Sequence, residues 1–255
     1  MILLVTDTSG KQGSVALVRA GELADPSKVE TIGVAPLTGG TFSAQLVPQI
    51  ASLLAKHGLN KSDIGAFIVV SGPGSFTGLR VGLAAMKGLA EILHSPIVSV
   101  SILEVLARHG QLIAAGGNEV GDASIFHYAV AIDAGRGEAF VGQYEIVFPS
   151  KPDSSFKCIS ESLLDWGSLA ELIESGAVRW VATPDKVISD FLRASQPANR
   201  KDSILQQSER PTVTEIASVG WHKLNAGQTV SAEHLEANYI RRTDAELLAK
   251  LPSCS

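Results

Sequence analysis

Two aspartates and one glycine-rich segment are the residues of this chain whose types and spacing could do chemistry. Asp7 and Asp133 each end an apolar run and precede a turn of small residues. In phosphotransfer folds, carboxylates at such positions can orient a magnesium ion or a water molecule. An aspartate at a strand end is also a common turn starter. Each aspartate therefore has a catalytic and a purely structural interpretation, and the structural one is the more frequent in proteins.

The glycine-rich segment runs from Ser71 to Gly82 and reads SGPGSFTGLRVG. It could bind a phosphate through free N–H groups at a helix N-terminus, with Arg80 as a further donor. The segment has neither P-loop nor Rossmann spacing, because Thr77 stands where both motifs require their next glycine. Glycines also allow two backbones to approach closely, with Ser75 or Thr77 capping the helix. The residues alone favour this packing interpretation.

Metal and hydrolase motifs are not recognisable in the sequence. The six histidines are scattered, none forms a close pair, and no cysteine lies near one, so we predict no metal site. A G-x-S-x-G elbow is also missing, which leaves a serine hydrolase without support. The histidines are His57, His94, His109, His127, His222 and His234.

The elements that must position these residues follow from hydrophobic periodicity. Three strands open the chain as a meander, a helix is predicted over Phe42–His57, and an apolar strand leads into the glycine-rich segment. The helix after that segment, Thr77–Leu93, is apolar on two adjoining stripes and therefore has to be covered on more than one side. We predict that both helices contribute to a core or to a partner interface through Leu46, Ile50, Leu53, Leu79, Gly82, Leu83, Ala85, Met86 and Leu89.

The second half repeats the plan of the first. VTDTSGKQGSVAL near the start and AIDAGRGEAFVGQY around Asp133 both predict a strand, a terminal aspartate, a small-residue turn and a second strand. Helices are predicted over Leu163–Ser175 and Val213–Ala226, and a strand over Val178–Ala182. We expect lobes at 1–103 and 104–229, followed by a tail at 230–255.

Composition narrows the class of protein. The chain has 255 residues, of which 45% are hydrophobic and 18% charged, so we expect a sizeable folded core. Its net charge of −5 argues against a broad nucleic-acid surface, although Arg241 and Arg242 could touch an anionic partner. No run is long enough to span a membrane. Cys158 and Cys254 offer no disulfide framework, which suits a cytoplasmic location.

The segment SGPGSFTGLRVGLAAMKGLAE closely resembles the hallmark segment of the bacterial TsaB (YeaZ) family. Weaker likenesses cover ILLVTDTS at the start, AIDAGRGEAFVGQYE in the second half, and the L-x-x-x-Y-I-R-R pattern from Leu235 to Arg242. The resemblance implies an α/β fold of the actin-like ASKHA type, with two lobes of related βββαβα plan. It also implies a part in making threonylcarbamoyladenosine next to the anticodon of tRNA.

In the family this chain resembles, the transferase is the paralogue TsaD, and TsaB is its partner. The resemblance implies no cofactor and no catalytic residue here, a heterodimer with TsaD through the two first-lobe helices, and TsaE as a further ATPase partner. Contact with tRNA would be indirect, and the chain alone could pair with itself. Any residual nucleotide or anion site would involve Asp7, Thr8, Ser9, Arg80 and Asp133.

Two missing features agree with a non-catalytic subunit. A TsaD-like chain needs an H-x-x-x-H pair, and the stretch after Ser101 holds only His109. The region where an actin-like ATPase would place an adenosine loop, Val178–Lys186, contains no glycine. The alternatives are an ATPase or phosphotransferase of the same fold using Asp7 and Asp133, and a glycopeptidase-like metallohydrolase.

Overall fold

The computed structural model describes residues 1–21, 29–115, 124–148, 156–195, 204–206 and 210–240. The first half forms eight elements in the order β1 Ile2–Asp7, β2 Gln12–Ala20, β3 Val29–Thr38, α1 Phe42–Lys56, β4 Ile64–Gly72, α2 Phe76–Leu93, β5 Ile97–Ser101 and α3 Ile102–Ala115. The second half follows with β6 Ser124–Gly135, β7 Glu138–Phe148, β8 Phe156–Asp165, α4 Trp166–Glu174, β9 Trp180–Thr183, α5 Lys186–Ser195, β10 Ile204–Gln206 and α6 Val213–Asn225.

Both halves build a five-stranded sheet of the same topology. The first sheet has the order β3-β2-β1-β4-β5, and the second, taken from its other edge, has the order β8-β7-β6-β9-β10. In each sheet the first three strands pair antiparallel and the last two join in parallel. The predicted α/β architecture, an ASKHA fold whose two lobes share a βββαβα plan, is confirmed.

The helices and sheets stack as five layers. Alternation along the central strands directs Leu3 and Val5 of β1 into the layer between the sheets, whereas Leu4 points outward beneath α1 and α2. The outer side of the second sheet is covered by α4 and α5. Since both faces of the central strands are covered, these strands are apolar throughout rather than alternating with polar residues. Within the described parts of the chain, no helix combines the length and apolarity needed to cross a membrane.

The central layer is formed by two helices that cross between the halves of the chain. Helix α3 follows the first sheet in sequence but packs mainly on β6 and β7, whereas α6 packs on all five strands of the first sheet. Trp221 of α6 is fully buried in this layer. The interval 104–229, expected from the sequence to form the second lobe, therefore includes a helix that packs on the first sheet.

The segment from 230 to 240 ties the two sheets together. Val230 forms a bridge with Ile97, and Leu235 is buried beneath α1 and α2. Asn238 then donates its backbone N–H to the Ser71 carbonyl at 2.8 Å and its side-chain amide to Glu161 Oε2 at 2.5 Å.

Glu161 of β8 is the meeting point of three segments. Besides Asn238, its carboxylate accepts hydrogen bonds from Ser101 Oγ at 2.5 Å and from the Tyr144 hydroxyl at 3.0 Å. Burial raises the pKa of Tyr144, and the neighbouring Glu161 carboxylate raises it further. The tyrosine therefore stays a neutral donor, and the Glu161 carboxylate joins the second sheet to Ser101 at the end of β5.

Three elements of the second half, β8, α4 and α5, differ from the sequence prediction. The predicted helix Leu163–Ser175 is wrong at its start, because Leu163–Asp165 end the edge strand β8 and the helix begins at Trp166. Asp165 caps that helix by accepting from the Ser168 N–H at 2.9 Å. The sequence prediction contained neither the edge strand β8 nor helix α5. The half-buried, mixed residues of β8 give little period-2 signal, since an edge strand covers few apolar side chains.

Replacing Leu235 with alanine tests whether the segment after α6 belongs to the folded core. Leu235 is 1% exposed, so we expect the free energy of unfolding to fall by about 2–5 kcal/mol in urea titrations. Glu236→Ala is the matched control, because that neighbouring side chain is exposed. Equal stability of both variants would show that the tail does not pack as described.

Candidate functional site

A cavity of about 1020 Å³ lies where the ends of the two sheets face each other. Its walls come from the β1–β2 turn, the β6–β7 turn, the start of α2 and the tail. Ser9 and Asp133 lie on facing walls, and Tyr239 lines the same cavity. The structure thus brings two of the sequence-predicted anion-site residues to one cleft.

Both candidate catalytic aspartates are engaged in their own turns. Asp7 Oδ1 accepts hydrogen bonds from Ser9 N at 2.8 Å and Ser9 Oγ at 2.6 Å. Asp133 Oδ1 accepts from Gly135 N at 2.9 Å, while the Asp133 N–H donates to Asp185 Oδ2 at 2.8 Å. These are aspartate turns, in which the carboxylate satisfies backbone donors of the following residues. The geometry agrees with the turn-forming interpretation of both residues.

Three glycines of the glycine-rich segment, spaced four residues apart, lie against the β1–β2 turn. A Cβ at Gly74 would approach the Ser9 carbonyl, one at Gly78 the Thr8 carbonyl, and one at Gly82 the Thr8 hydroxyl, each within 3.0 Å. Such approaches are essentially never seen for real Cβ atoms. The Ser75 N–H also donates to the Ser9 carbonyl at 2.7 Å. We conclude that these glycines seat α2 directly on the end of β1.

The start of α2 is capped from within. Ser75 is the N-cap, and its hydroxyl accepts from the Gly78 N–H at 3.2 Å, as one of the two predicted capping options requires. Thr8 is 1% exposed, and its hydroxyl has no hydrogen-bond partner among the described residues. The backbone of α2 therefore lies against Thr8, whereas Ser9 and the rest of the β1–β2 turn border the cavity.

Arg80 lies apart from the cleft walls. Its Nε donates to the Tyr239 hydroxyl at 3.0 Å, and its guanidinium carbon lies 3.8 Å from the centroid of the Phe76 ring. The predicted anion-site residues therefore divide into two groups. Asp7, Thr8 and Ser9 belong to one turn, with Asp133 across the cleft, whereas Arg80 is exposed on the outer side of α2.

Most residues predicted for a partner interface belong to the interior of the chain. Leu46, Ile50, Leu53, Leu79, Leu83 and Met86 are at most 6% exposed and fill the layer between the first sheet and its two helices. Gly82 faces Thr8 within the chain. Only Ala85 and Leu89 are half-buried. The physical reason is that the most apolar stripe of an amphipathic helix packs on its own sheet.

The outward side of α1 and α2 is formed by other residues. We call this surface the outer helix face, and its members are small or apolar side chains exposed on two helices that pack side by side. Gly88 is notable because a Cβ there would meet nothing within 4 Å. The exposed residues of the outer helix face are Ala44, Val47, Ala51, Ala84, Gly88 and Ile92.

Titratable side chains do not converge on a metal-binding geometry in the described parts of the chain. No group of three or more histidine, cysteine, aspartate or glutamate side chains lies close enough together to hold an ion. His109, the single histidine in the stretch after Ser101, contacts the Glu215 carboxylate through Nδ1 and so links α3 to α6. Arg241, Arg242 and Cys254 lie outside the described residues.

The fold and the glycine contacts can now be compared with known proteins. The family model described as TsaD, tRNA N6-adenosine threonylcarbamoyltransferase, matches residues 25–160, which is more than half of the chain. The TsaB protein of Escherichia coli, named a tRNA threonylcarbamoyladenosine biosynthesis protein, is 25% identical over 245 residues, covering 88% of this chain and 95% of that protein. The chain belongs to the TsaB (YeaZ) branch of this family. Membership links it to tRNA threonylcarbamoyladenosine biosynthesis.

Two further similarities complete the comparison. A tRNA N6-adenosine threonylcarbamoyltransferase from Nitratidesulfovibrio vulgaris is 33% identical over 129 residues, covering 46% of this chain and 33% of that enzyme. The solved structure of YeaZ from Pseudomonas aeruginosa aligns with a TM-score of 0.65 at 24% identity, over 93% of this chain and 99% of that one. The structural likeness shows that this TsaB chain has the YeaZ fold along nearly its whole length.

Replacing glycine with alanine should have opposite effects on stability at two positions of α2. Gly82→Ala should destabilise the TsaB chain, because the added methyl group would clash with Thr8. Gly88→Ala should raise the free energy of unfolding by about 0.5–1 kcal/mol, since alanine is the better helix former and open space surrounds it. Thermal and urea unfolding of the two variants would measure this difference. Equal effects would contradict the close contact of α2 with β1.

Proposed function

We propose that this TsaB chain is a non-catalytic subunit that binds and supports the TsaD transferase during tRNA threonylcarbamoyladenosine synthesis. The binding site is the outer helix face. TsaE is proposed as a further partner and contact with tRNA as indirect, both on the strength of the family resemblance. The same reasoning assigns the chain to the cytoplasm.

The observation that carries the proposal is the composition of the outer helix face. Gly88 lies in the middle of an 18-residue helix, where glycine costs about 0.5–1 kcal/mol relative to alanine. No contact within the described chain requires a glycine there, because a Cβ would meet open space. A helix of another molecule would benefit from this gap, since small residues allow close approach. Ala84 extends the small surface, and Val47 and Ile92, which are 55% and 69% exposed, add apolar area to it.

A subunit of the same family is a suitable occupant of this face. Because TsaD-type chains share the family with this TsaB chain, a comparable pair of helices is expected in the partner. Two such pairs could pack in a nearly two-fold arrangement, as subunits of common fold often do. The buried apolar area would stabilise the complex by roughly 25 cal/mol per Å² before the costs of association.

The state of the cleft supports a non-catalytic role. Asp7 and Asp133 hold their own turns through hydrogen bonds of 2.6–2.9 Å. A carboxylate whose oxygen accepts hydrogen bonds from its own turn has less capacity left to orient a magnesium ion or a water molecule. The proposal therefore assigns the aspartates a structural role.

Placing a charge on the outer helix face tests the proposal. The side chain of Gly88→Glu has open space in the isolated chain, so folding should be preserved. The affinity for purified TsaD, measured by calorimetry, should fall at least a hundredfold, because a carboxylate would be buried at an apolar contact. Gly88 is a better site for this test than the half-buried Ala85, whose replacement could disturb the core.

The matched control is Val187→Glu, which places the same charge at an exposed position of α5, beyond the second sheet. It should bind TsaD as the wild type does. The proposal fails if a folded Gly88→Glu chain binds TsaD within threefold of the wild-type affinity.

The ATPase alternative rests on one observation. The cavity is lined by Lys11, Arg136 and Arg210 as well as by Asp133, and its volume is sufficient for a nucleotide. We expect isothermal titration of the isolated chain with ATP and magnesium to give no binding tighter than about 1 mM. Saturable heat at micromolar ATP, abolished by Asp133→Asn, would favour the alternative instead.

A further inference from the structure

The cleft between the ends of the two sheets carries a surplus of positive charge. Among the described residues that line it, Lys11, Arg136 and Arg210 are cations, and Asp133 alone is acidic. The Asp133 carboxylate already accepts a hydrogen bond from Gly135 N in its own turn. The chain as a whole has a net charge of −5, so this local surplus runs against its composition. The cleft therefore favours an anionic ligand.

The three cations lie on both walls of the cleft. Lys11 belongs to the β1–β2 turn, and Arg210 lies against the same turn, because a Cβ at Gly10 would lie 3.2 Å from Arg210 Nη1. Neither Lys11 nor Arg210 forms an ion pair with a described residue. Arg136 lies on the facing wall, in the β6–β7 turn. The positive charge is thus spread over two surfaces rather than gathered at one point.

This spread of charge suits separate carboxylates better than a cluster of phosphates. A phosphate group is usually bound by donors that converge, such as the free N–H groups at a helix N-terminus. At the start of α2, the Ser75 N–H donates to the Ser9 carbonyl and the Gly78 N–H donates to the Ser75 hydroxyl, so both donors are already used. The cations of the cleft are side chains on separate segments, and each can pair with one carboxylate along an extended chain.

Apolar and aromatic side chains line the same cleft. Phe42, Phe76, Phe140 and Ile240 contribute to its walls, together with Tyr239, which is 45% exposed. An inorganic anion would leave this apolar surface in contact with water, whereas an aliphatic or aromatic side chain of a ligand would cover it. A ligand that carries both acidic and apolar side chains therefore matches the lining.

We propose that this cleft binds an acidic segment of a second polypeptide. The carboxylates of that segment pair with Lys11 and Arg210 on one wall and with Arg136 on the other, and an apolar side chain packs beside Tyr239. The volume of about 1020 Å³ accommodates a few residues of an extended chain. The site shares no residue with the outer helix face, so this inference goes beyond the proposed function.

Titration of the full-length chain with a labelled peptide tests the site. The probe is a capped, fluorescein-labelled peptide of about six residues in which glutamate and phenylalanine alternate, and its anisotropy should give a dissociation constant of about 100 µM or lower at low ionic strength. The double variant Lys11→Glu/Arg210→Glu should bind this peptide at least tenfold more weakly, because both cations of one wall are reversed. A peptide with lysine in place of glutamate should show the opposite preference and bind the double variant better than the wild-type chain.

The matched control is Lys61→Glu, which reverses an exposed cation in the turn before β4, at the other end of the first sheet from the cleft. It should leave peptide binding unchanged. TsaD binding, measured in a separate titration, should be unchanged in the double variant, because the outer helix face is intact. The two proposals therefore fail independently.

Competition with other anions separates a peptide site from a general anion site. Inorganic tripolyphosphate and a single-stranded RNA oligonucleotide should displace the labelled peptide only at concentrations at least tenfold above those of the unlabelled peptide. The proposal is overturned if either competitor is more effective than the peptide, or if the folded double variant binds the peptide as the wild type does. Absence of saturable binding up to about 1 mM peptide would overturn it as well.

Discussion

The seating of α2 on the end of β1 is the contact on which the rest of the structure depends. Because Gly74, Gly78 and Gly82 have no side chains, this segment can approach Thr8 and Ser9 closely. This contact fixes the rotation of α2 about its own axis. Leu79, Leu83 and Met86 are thereby directed into the core, and Ala84 and Gly88 outward. The same glycine segment that resembles a phosphate loop in composition acts as a packing motif, and it also determines which residues remain for a partner.

The cleft and the outer helix face are therefore two consequences of one contact. On the cleft side, the helix packs closely against Thr8 and Ser9, and the aspartates hold their turns. On the outer side, an apolar small-residue surface is left uncovered. The tail connects the two regions, because Asn238 joins Ser71 to Glu161 while its neighbour Tyr239 orients Arg80.

The sequence predicted the architecture well where burial is two-sided. The apolar strands around Val5 and Val70 and the repeated strand-aspartate-turn plan led directly to two related lobes, because continuous apolar runs mark central strands. Prediction failed where the signal depends on distant packing. The mixed residues of β8 resemble the start of a helix until the neighbouring strand β7 is known. Helix α6 follows the strands of the second sheet in the chain but packs on the first sheet, and no local sequence pattern indicates this contact.

The sequence predictions for the candidate site also agree with the structure in some respects and differ in others. The preference for packing over phosphate binding followed from missing motifs and helical stripes, and the structure supplies its physical basis in the glycine spacing. Most residues predicted for a core or a partner interface lie in the core, because the strongest apolar stripe, with Leu83 and Met86, packs on the first sheet. Four-residue glycine spacing was a usable signal for the inward face. Gly88 does not follow this spacing, so it could have been assigned to the outward face of α2.

The most direct test of the central claim is reconstitution of tRNA modification from purified components, with this TsaB chain omitted or added. With TsaD, TsaE, the remaining components of the pathway and unmodified tRNA present, threonylcarbamoyladenosine would be quantified in the digested tRNA. We expect formation of the modified nucleoside to depend on this chain and to be lost when it is left out. Full activity in its absence would contradict the proposal that the chain supports the transferase by binding it.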